Sequence, residues 1–160
     1  MIEQIIESKL IDALVASLPE GSNIQTLGVW QPAVGEKIKN MEDKAVNGYL
    51  TVKALPRSYE TPTIPTATIQ AQIQLSMRSE VDAQGIDYLR VVSAISTVLQ
   101  SWQDSLETAK TTFDVDGKFD CAGTQLTGGD VGADTANKVW TYSQGVTVYG
   151  VILPPEESAE

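Results

Sequence analysis

The chain opens on a helical spacing. Ile2, Ile5, Ile6, Leu10, Ile11, Leu14, Val15 and Leu18 recur every three or four residues, which lines them along one stripe of a helix. Glu3, Glu7 and Asp12 fall off that stripe, and the early acids suit the positive end of the helix dipole. Pro19-Glu20-Gly21 ends the segment. Ile24–Trp30 reads as a first strand, and Asn40–Asn47 as a polar turn, short helix or loop. From Tyr49 to Leu55 the period changes to two, with Leu50, Val52 and Ala54 on one face and Thr51 and Lys53 on the other. Pro56 closes that strand. Pro56, Pro62 and Pro65, with Thr61 and Thr63 between them, predict an extended arm over 56–65.

The clearest strand follows. Ile69, Ala71, Ile73, Leu75 and Met77 alternate with Gln70, Gln72, Gln74, Ser76 and Arg78. One face is apolar and suits packing against helices. The other carries three amides in succession, which are best satisfied by neighbours that also hydrogen-bond. An ordinary wet face of an open antiparallel sheet accounts for Gln70, Gln72 and Gln74; a strand lining a pore or a subunit contact is the sharper reading. Ser79 then reads as an N-cap with Asp82 as its capping-box partner. Ile86, Leu89, Val92, Ile95, Leu99 and Trp102 give a second core-facing helix that runs to about Gln103, with Gly85 a small cost near its start.

The last third turns back to strand. Thr111–Val115 and Lys118–Cys121 flank Asp116-Gly117, a strong short hairpin signal. Gly123 to Ala136, rich in Gly and Asp, predicts a long exposed loop over 123–136. Lys138–Leu153 is the closing strand region. Trp140 and Tyr142 share one parity, a break falls near Ser143-Gln144-Gly145, and Val146, Val148 and Ile152 share a face beyond it. Pro154-Pro155 stops the strand before an acidic tail over 154–160. Helix, strands, long helix, strands predicts one α+β domain: two layers, a mostly antiparallel sheet and two main helices on one face.

Composition narrows the function. In 160 residues, 11 Lys and Arg stand against 21 Asp and Glu, a net charge of −10, with one Cys and no His. Without histidine no Ser-His-Asp, Cys-His or His-metal mechanism is available. The acidic balance opposes phosphate gripping and docking on anionic membranes. Met1–Gln4 carries no signal-peptide pattern, no window reaches the length of a membrane span, and no Asn-x-Ser/Thr sequon occurs, which together suit intracellular synthesis. Asp114, Asp116-Gly117 and Asp120 approximate a calcium loop, but Phe119 and Gln125 stand where glycine and glutamate are needed. Gly123–Gly128 has phosphate-loop glycine spacing, but Gly129-Asp130 follows in place of Lys-Ser/Thr. Cys121 has no histidine to activate it and reads as a half-buried strand residue. The expectation is a protein that is not an enzyme and holds no cofactor or metal.

The layout itself is suggestive. A helix ends in Leu18-Pro19, a strand precedes the proline-rich excursion, and Thr68–Arg78 feeds a long helix through Ser79-Glu80. Trp140–Ser143 then precedes the closing Val146–Ile152 strand. This order resembles the tail terminator, or tail completion, proteins of long-tailed bacteriophages. The resemblance implies a virion protein of the tail or neck, made in the host cytoplasm. Copies would form a homo-oligomer, a hexameric ring at the head-proximal end of the tail tube. The ring stops tube polymerisation and offers a docking surface to the head. The implied partners are the tail tube protein and the head–tail connector or stopper protein; genome DNA passes through without specific binding, and no membrane is involved.

Physical chemistry adds candidate sites to that picture. A ring is a closed heterologous assembly, and arms reach neighbours. Pro56, Arg57, Tyr59, Pro62 and Pro65 are the candidate inter-subunit arm. Gln70, Gln72 and Gln74 are the candidate pore or subunit contact. A DNA channel should repel phosphate. Asp104, Glu107, Asp114, Asp116, Asp120, Asp130 and Asp134 outnumber Lys110 and Lys118 in their stretch, so Asp114, Asp116, Asp120, Asp130 and Asp134 are the candidate lumen-facing acids. Rival classes are another neck or tail ring protein (head–tail stopper, tube or sheath-end protein), a small-ligand binding domain or carboxylate enzyme, and an acidic DNA mimic.

Overall fold

The computed structural model describes residues 2–27, 46–55 and 66–153. The candidate arm Pro56, Arg57, Tyr59, Pro62 and Pro65 and the acidic tail lie outside the described residues, as does Trp30. In chain order the elements are α1 (Ile2–Ser17), β1 (Ile24–Leu27), β2 (Gly48–Ala54), β3 (Thr66–Arg78), α2 (Ile86–Asp104), α3 (Leu106–Phe113), β4 (Phe119–Asp134) and β5 (Val139–Ile152). The five strands form one sheet in the order β1-β2-β3-β5-β4. Every neighbouring pair is antiparallel except β1 with β2. The fold is α+β in two layers.

The helices pack on one face because their apolar stripes meet the apolar parity of the strands. Ile6, Leu10 and Leu14 of α1, Ile95 and Leu99 of α2, and Phe113 of α3 join Leu50, Ile69, Ile73, Leu75 and Val148 in one buried cluster. At roughly 1.5–3 kcal/mol per fully buried side chain, this cluster is the main stabilising term. Trp102 meets Phe113 edge-on, with ring centroids 4.7 Å apart, and its Nε1 donates to Thr112 Oγ1 at 3.1 Å. That pair fixes α3 against α2.

Four sequence expectations are corrected. First, α2 does not open at Ser79. Residues 79–85 make turns, and the helix starts at Ile86 behind Gly85, whose φ of 70 lies in the left-handed region. The cap is Asp82: its Oδ2 accepts from the Tyr88 N–H at 2.9 Å and its Oδ1 from the Asp87 N–H at 3.3 Å. In this helix Tyr88 and Val91 are buried, while Ile86 and Leu89 are 55% and 57% exposed. Secondly, Thr111–Val115 is not a strand. Leu106–Phe113 is helical, capped by Ser105, whose Oγ accepts from the Thr108 N–H at 3.2 Å. Asp116-Gly117 does turn the chain, closing a single Val115–Phe119 bridge.

Thirdly, residues 123–136 are not a long loop. They belong almost wholly to β4, 16 residues long. Two irregularities, between Cys121 and Gly123 and between Thr127 and Gly129, leave Ala122 and Gly128 outside the pairing. Each bulge shifts the side-chain parity by one. Phe119 and Cys121 face the helices at odd positions, Thr124 and Leu126 at even ones, and Val131 and Ala133 again at odd ones. No single alternation survives in the sequence, so the strand reads as a loop.

Fourthly, β5 has no break at Ser143-Gln144-Gly145. Trp140, Tyr142, Gln144, Val146, Val148 and Ile152 share one face of a continuous strand. Gln144 interrupts the apolar pattern because it sits opposite Gly129, where a side chain would lie 2.6 Å from its Oε1. Its Nε2 donates to Thr127 O at 3.0 Å and to Gly145 O at 3.1 Å.

Candidate functional site

The second face of the sheet carries no described helix, and the pairing register says what stands there. One row runs Thr51, Gln74, Ser143 and Asp130. The next runs Lys53, Gln72, Gly145 and Thr127, and the next Gln70, Thr147 and Gln125. Farther out, Asp134 lies beside Val139 and Arg78, and Asp120 beside Val151 and Thr66. The face is therefore polar over four strands, with its amides central and its acids on β4.

Gln70 and Gln72 are exposed, and Gln74 is half-buried, its Oε1 making no hydrogen bond. Gly145 lets the Gln72 and Thr127 side chains close over β5: an added Cβ there would lie 3.3 Å from Gln72 Nε2 and against the Thr127 hydroxyl. Tyr149 donates its hydroxyl to Gln125 Oε1 at 2.8 Å, joining β5 to β4 on the same face. Nearer the Arg78 end the polar groups are enclosed: Tyr49, Thr51, Ser76 and Arg78 are buried, and Thr147, between the exposed Gln70 and Gln125, is buried as well. The sequence reading missed Gln125 and Thr127. The bulges hid their parity, and only the register brings them beside the three glutamines.

The five candidate acids do not form one group. Asp120, Asp130 and Asp134 share the open face, whereas Asp114 and Asp116 lie off the sheet. Asp114 is the residue after α3, and its Oδ1 accepts from the Cys121 N–H at 2.7 Å. The Lys110 ammonium donates to Asp120 and to Cys121 O (3.1 Å), and stands 3.6 Å from Asp114. Asp114 and Asp120 thus fasten α3 to β4 through a shared cation. The bond to Asp120, with Asp114 nearby, holds the Lys110 ammonium above its ordinary pKa. Asp116 is exposed in the 116–118 turn. Asp134 binds the turn into β5, accepting from the Asn137 N–H at 3.1 Å and from Asn137 Nδ2 at 2.8 Å. Asp130 is exposed on β4.

Trp140-x-Tyr142 also has a local structural part. Trp140 stacks on Tyr88, centroids 5.8 Å apart, and donates from Nε1 to Asp82 O at 2.8 Å. Its ring lies 3.4 Å from where a Gly85 Cβ would be. Tyr88 donates to Thr141 O. Burial pushes the Tyr88 and Tyr142 hydroxyls up in pKa, so both stay protonated donors. Burial likewise pushes the Cys121 thiol up, against activation as a nucleophile. Among the described residues, no three of Cys, Asp and Glu gather in a metal-holding group. A cleft of about 70 Å³ lies between the 19–22 turn and α2, lined by Glu20, Asn47, Asp87 and Arg90. It is far below the roughly 300–1,000 Å³ of a small-molecule site.

No protein-family model and no curated protein matches the chain. Among solved structures, a chain from the virion of a native gene transfer agent particle shares the fold. The TM-score is 0.51 over 91% of this chain and 93% of that one, at 9% identity. A crystal structure from Akkermansia muciniphila aligns over 98% of this chain and 79% of its own at 10% identity, but its TM-score of 0.38 carries no argument.

Proposed function

We propose that the chain is a structural subunit of a virion, and that its copies form a ring at the head-proximal end of a tail tube. In that position the ring stops tube polymerisation and provides the surface on which the head docks. The supporting observation is the fold shared, over 91% of this chain, with a chain of a gene transfer agent virion. The order of elements resembling tail terminators points the same way. The tail tube protein and a head–tail connector or stopper are the partners in this reading.

The open face supplies a physical rationale. A wall past which DNA slides needs groups that satisfy water and do not hold phosphate. Gln70, Gln72, Gln125, Thr127 and Asp130 meet that need. In this reading Asp130 and Asp134 lie toward the lumen. Asp120 contributes little repulsion, because Lys110 neutralises it.

Native mass in solution, measured with and without tail tubes, tests the reading. A stable ring, or a monomer that closes into a ring on tube ends, supports it. A monomer that never assembles and ignores tubes refutes it. Labelled protein at the opposite tube end, or along the whole tube, would assign it instead to another ring of the neck or tail.

A further inference from the structure

The outer edge of β4 is protected over half its length and left open over the other half. Residues of β4 whose side chains face the helices turn their backbone N–H and C=O groups away from β5. Three contacts establish this. Phe119 exchanges bonds with Val115, both at 2.9 Å. Cys121 donates to Asp114 and accepts from Lys110. Leu126 donates to Gln103 Oε1 at 3.0 Å. The Val115 backbone and the side chains of Asp114, Lys110 and Gln103 thus occupy the edge at Phe119, Cys121 and Leu126. Beyond it, strand alternation turns the N–H and C=O groups of Gly129, Val131 and Ala133 outward too. No hydrogen bond within the described residues engages them, and Thr127–Ala133 are all exposed. Val131 is 60% exposed. Natural edges are blunted with Lys, Pro, bulges, charges or short strands; this stretch has no Lys or Pro, and its guards are the bulge at Gly128 and the single charge of Asp130.

We propose that Gly129–Ala133 is a strand-addition site, filled by the β1 side of a second copy of this chain. The proposal rests on the ring reading and names the contact that closes it. Two observations choose this occupant. The strand directions make β1 antiparallel to β4, so copies set side by side continue the sheet in its prevailing antiparallel sense. On the shared open face, exposed Asp130 then lies two strand spacings, about 10 Å, from the neighbour's β2, whose exposed Lys53 stands two residues beyond the Gly48–Thr51 stretch that β1 pairs with. Pairing β4 with the β4 of another copy instead sets the acids of both copies on the same few rows, which is destabilising.

The test uses the full chain, as monomer and as assembled ring. Amide exchange should be fast at Gly129, Val131 and Ala133 in the monomer and slower by about tenfold or more in the ring, the protection of a formed ladder bond. Val131→Pro removes one outward donor without touching the β5 ladder. The variant should keep the wild-type circular dichroism and lose assembly. If that variant fails to fold, charge exchange decides: Asp130→Lys and Lys53→Asp each weaken assembly, and the double variant restores it. Rings that form without added protection at these amides, or charge variants without mutual rescue, overturn this contact and leave the ring reading standing. Rings closed only by a strand of a different protein also overturn it. A chain monomeric under every condition overturns both.

Discussion

Replacing Asp82 by alanine discriminates most sharply between the capping pattern written in the sequence and the one used by the fold. Asp82 offers α2 two acceptors, at 2.9 Å from the Tyr88 N–H and 3.3 Å from the Asp87 N–H. Gly85, directly before the helix, has no side chain with which to substitute. Losing an N-cap costs about 1 kcal/mol. Losing the negative charge beside the helix N-terminus costs about 0.3–1 kcal/mol more. For a chain of this size each kcal/mol moves Tm by roughly 2–4 °C, so Asp82→Ala should lower Tm by about 3–8 °C. Asp82→Asn should cost less than half of that, because the amide still caps. The Trp140 bond goes to the backbone carbonyl of residue 82, so it survives in all these variants. Ser79→Ala should move Tm by less than about 1 °C, since surface changes away from such features are small. Thermal unfolding by circular dichroism at neutral pH measures all three. An Asp82→Ala variant within 1 °C of wild type, or a Ser79→Ala variant as damaged as Asp82→Ala, refutes the assignment.

Other perturbations have equally definite outcomes. Leu75→Ala, at a fully buried position in mid-sheet, should cost about 3–5 kcal/mol in urea unfolding. Gly150→Ala forces a methyl into the Phe119 ring and to 2.6 Å from the Asp120 carbonyl. Overpacking of that kind costs about 1–3 kcal/mol or more, and unfolding titration should place the variant well below wild type. Lys110 has its pKa raised by Asp120, so its contribution is complete at neutral pH and is lost as pH rises through the raised value. The stability gap between wild type and Lys110→Met should therefore stay constant from neutral pH to about 10 and shrink above the ordinary lysine value of about 10.4. Cys121, buried and with its thiol pushed up, should alkylate slowly at pH 8 until urea unfolds the chain.

Some elements were readable because one periodicity governs them without interruption. In β3 the alternation from Ile69 reappears as alternating burial as far as Leu75, beyond which both faces are buried, and α1 buries Ile6, Leu10 and Leu14 as its stripe requires. Elsewhere a local pattern was overruled. Ser79-x-x-Asp82 looks like a capping box, yet packing of Trp140 against Gly85 moves the helix start by several residues and Asp82 caps alone. Leu106–Phe113 carries threonines that suit a strand, but Ser105 and the Trp102–Phe113 contact make it a helix. Of the polar face, the glutamines of β3 were visible in the alternation. Their neighbours Gln125, Thr127 and Asp130 were not, because facing is set by register across strands and the bulges erase it along the chain.

Those bulges also have a geometric consequence for the sheet as a whole. Sixteen residues of β4 run beside fourteen of β5. At about 3.3 Å per residue, the outermost strand is some 7 Å longer in contour than its neighbour. Two ribbons of unequal length joined along their edge bend, as a bimetal strip does on heating. The monomer therefore carries intrinsic curvature at its β4 margin, set by Ala122 and Gly128 before any other molecule is met.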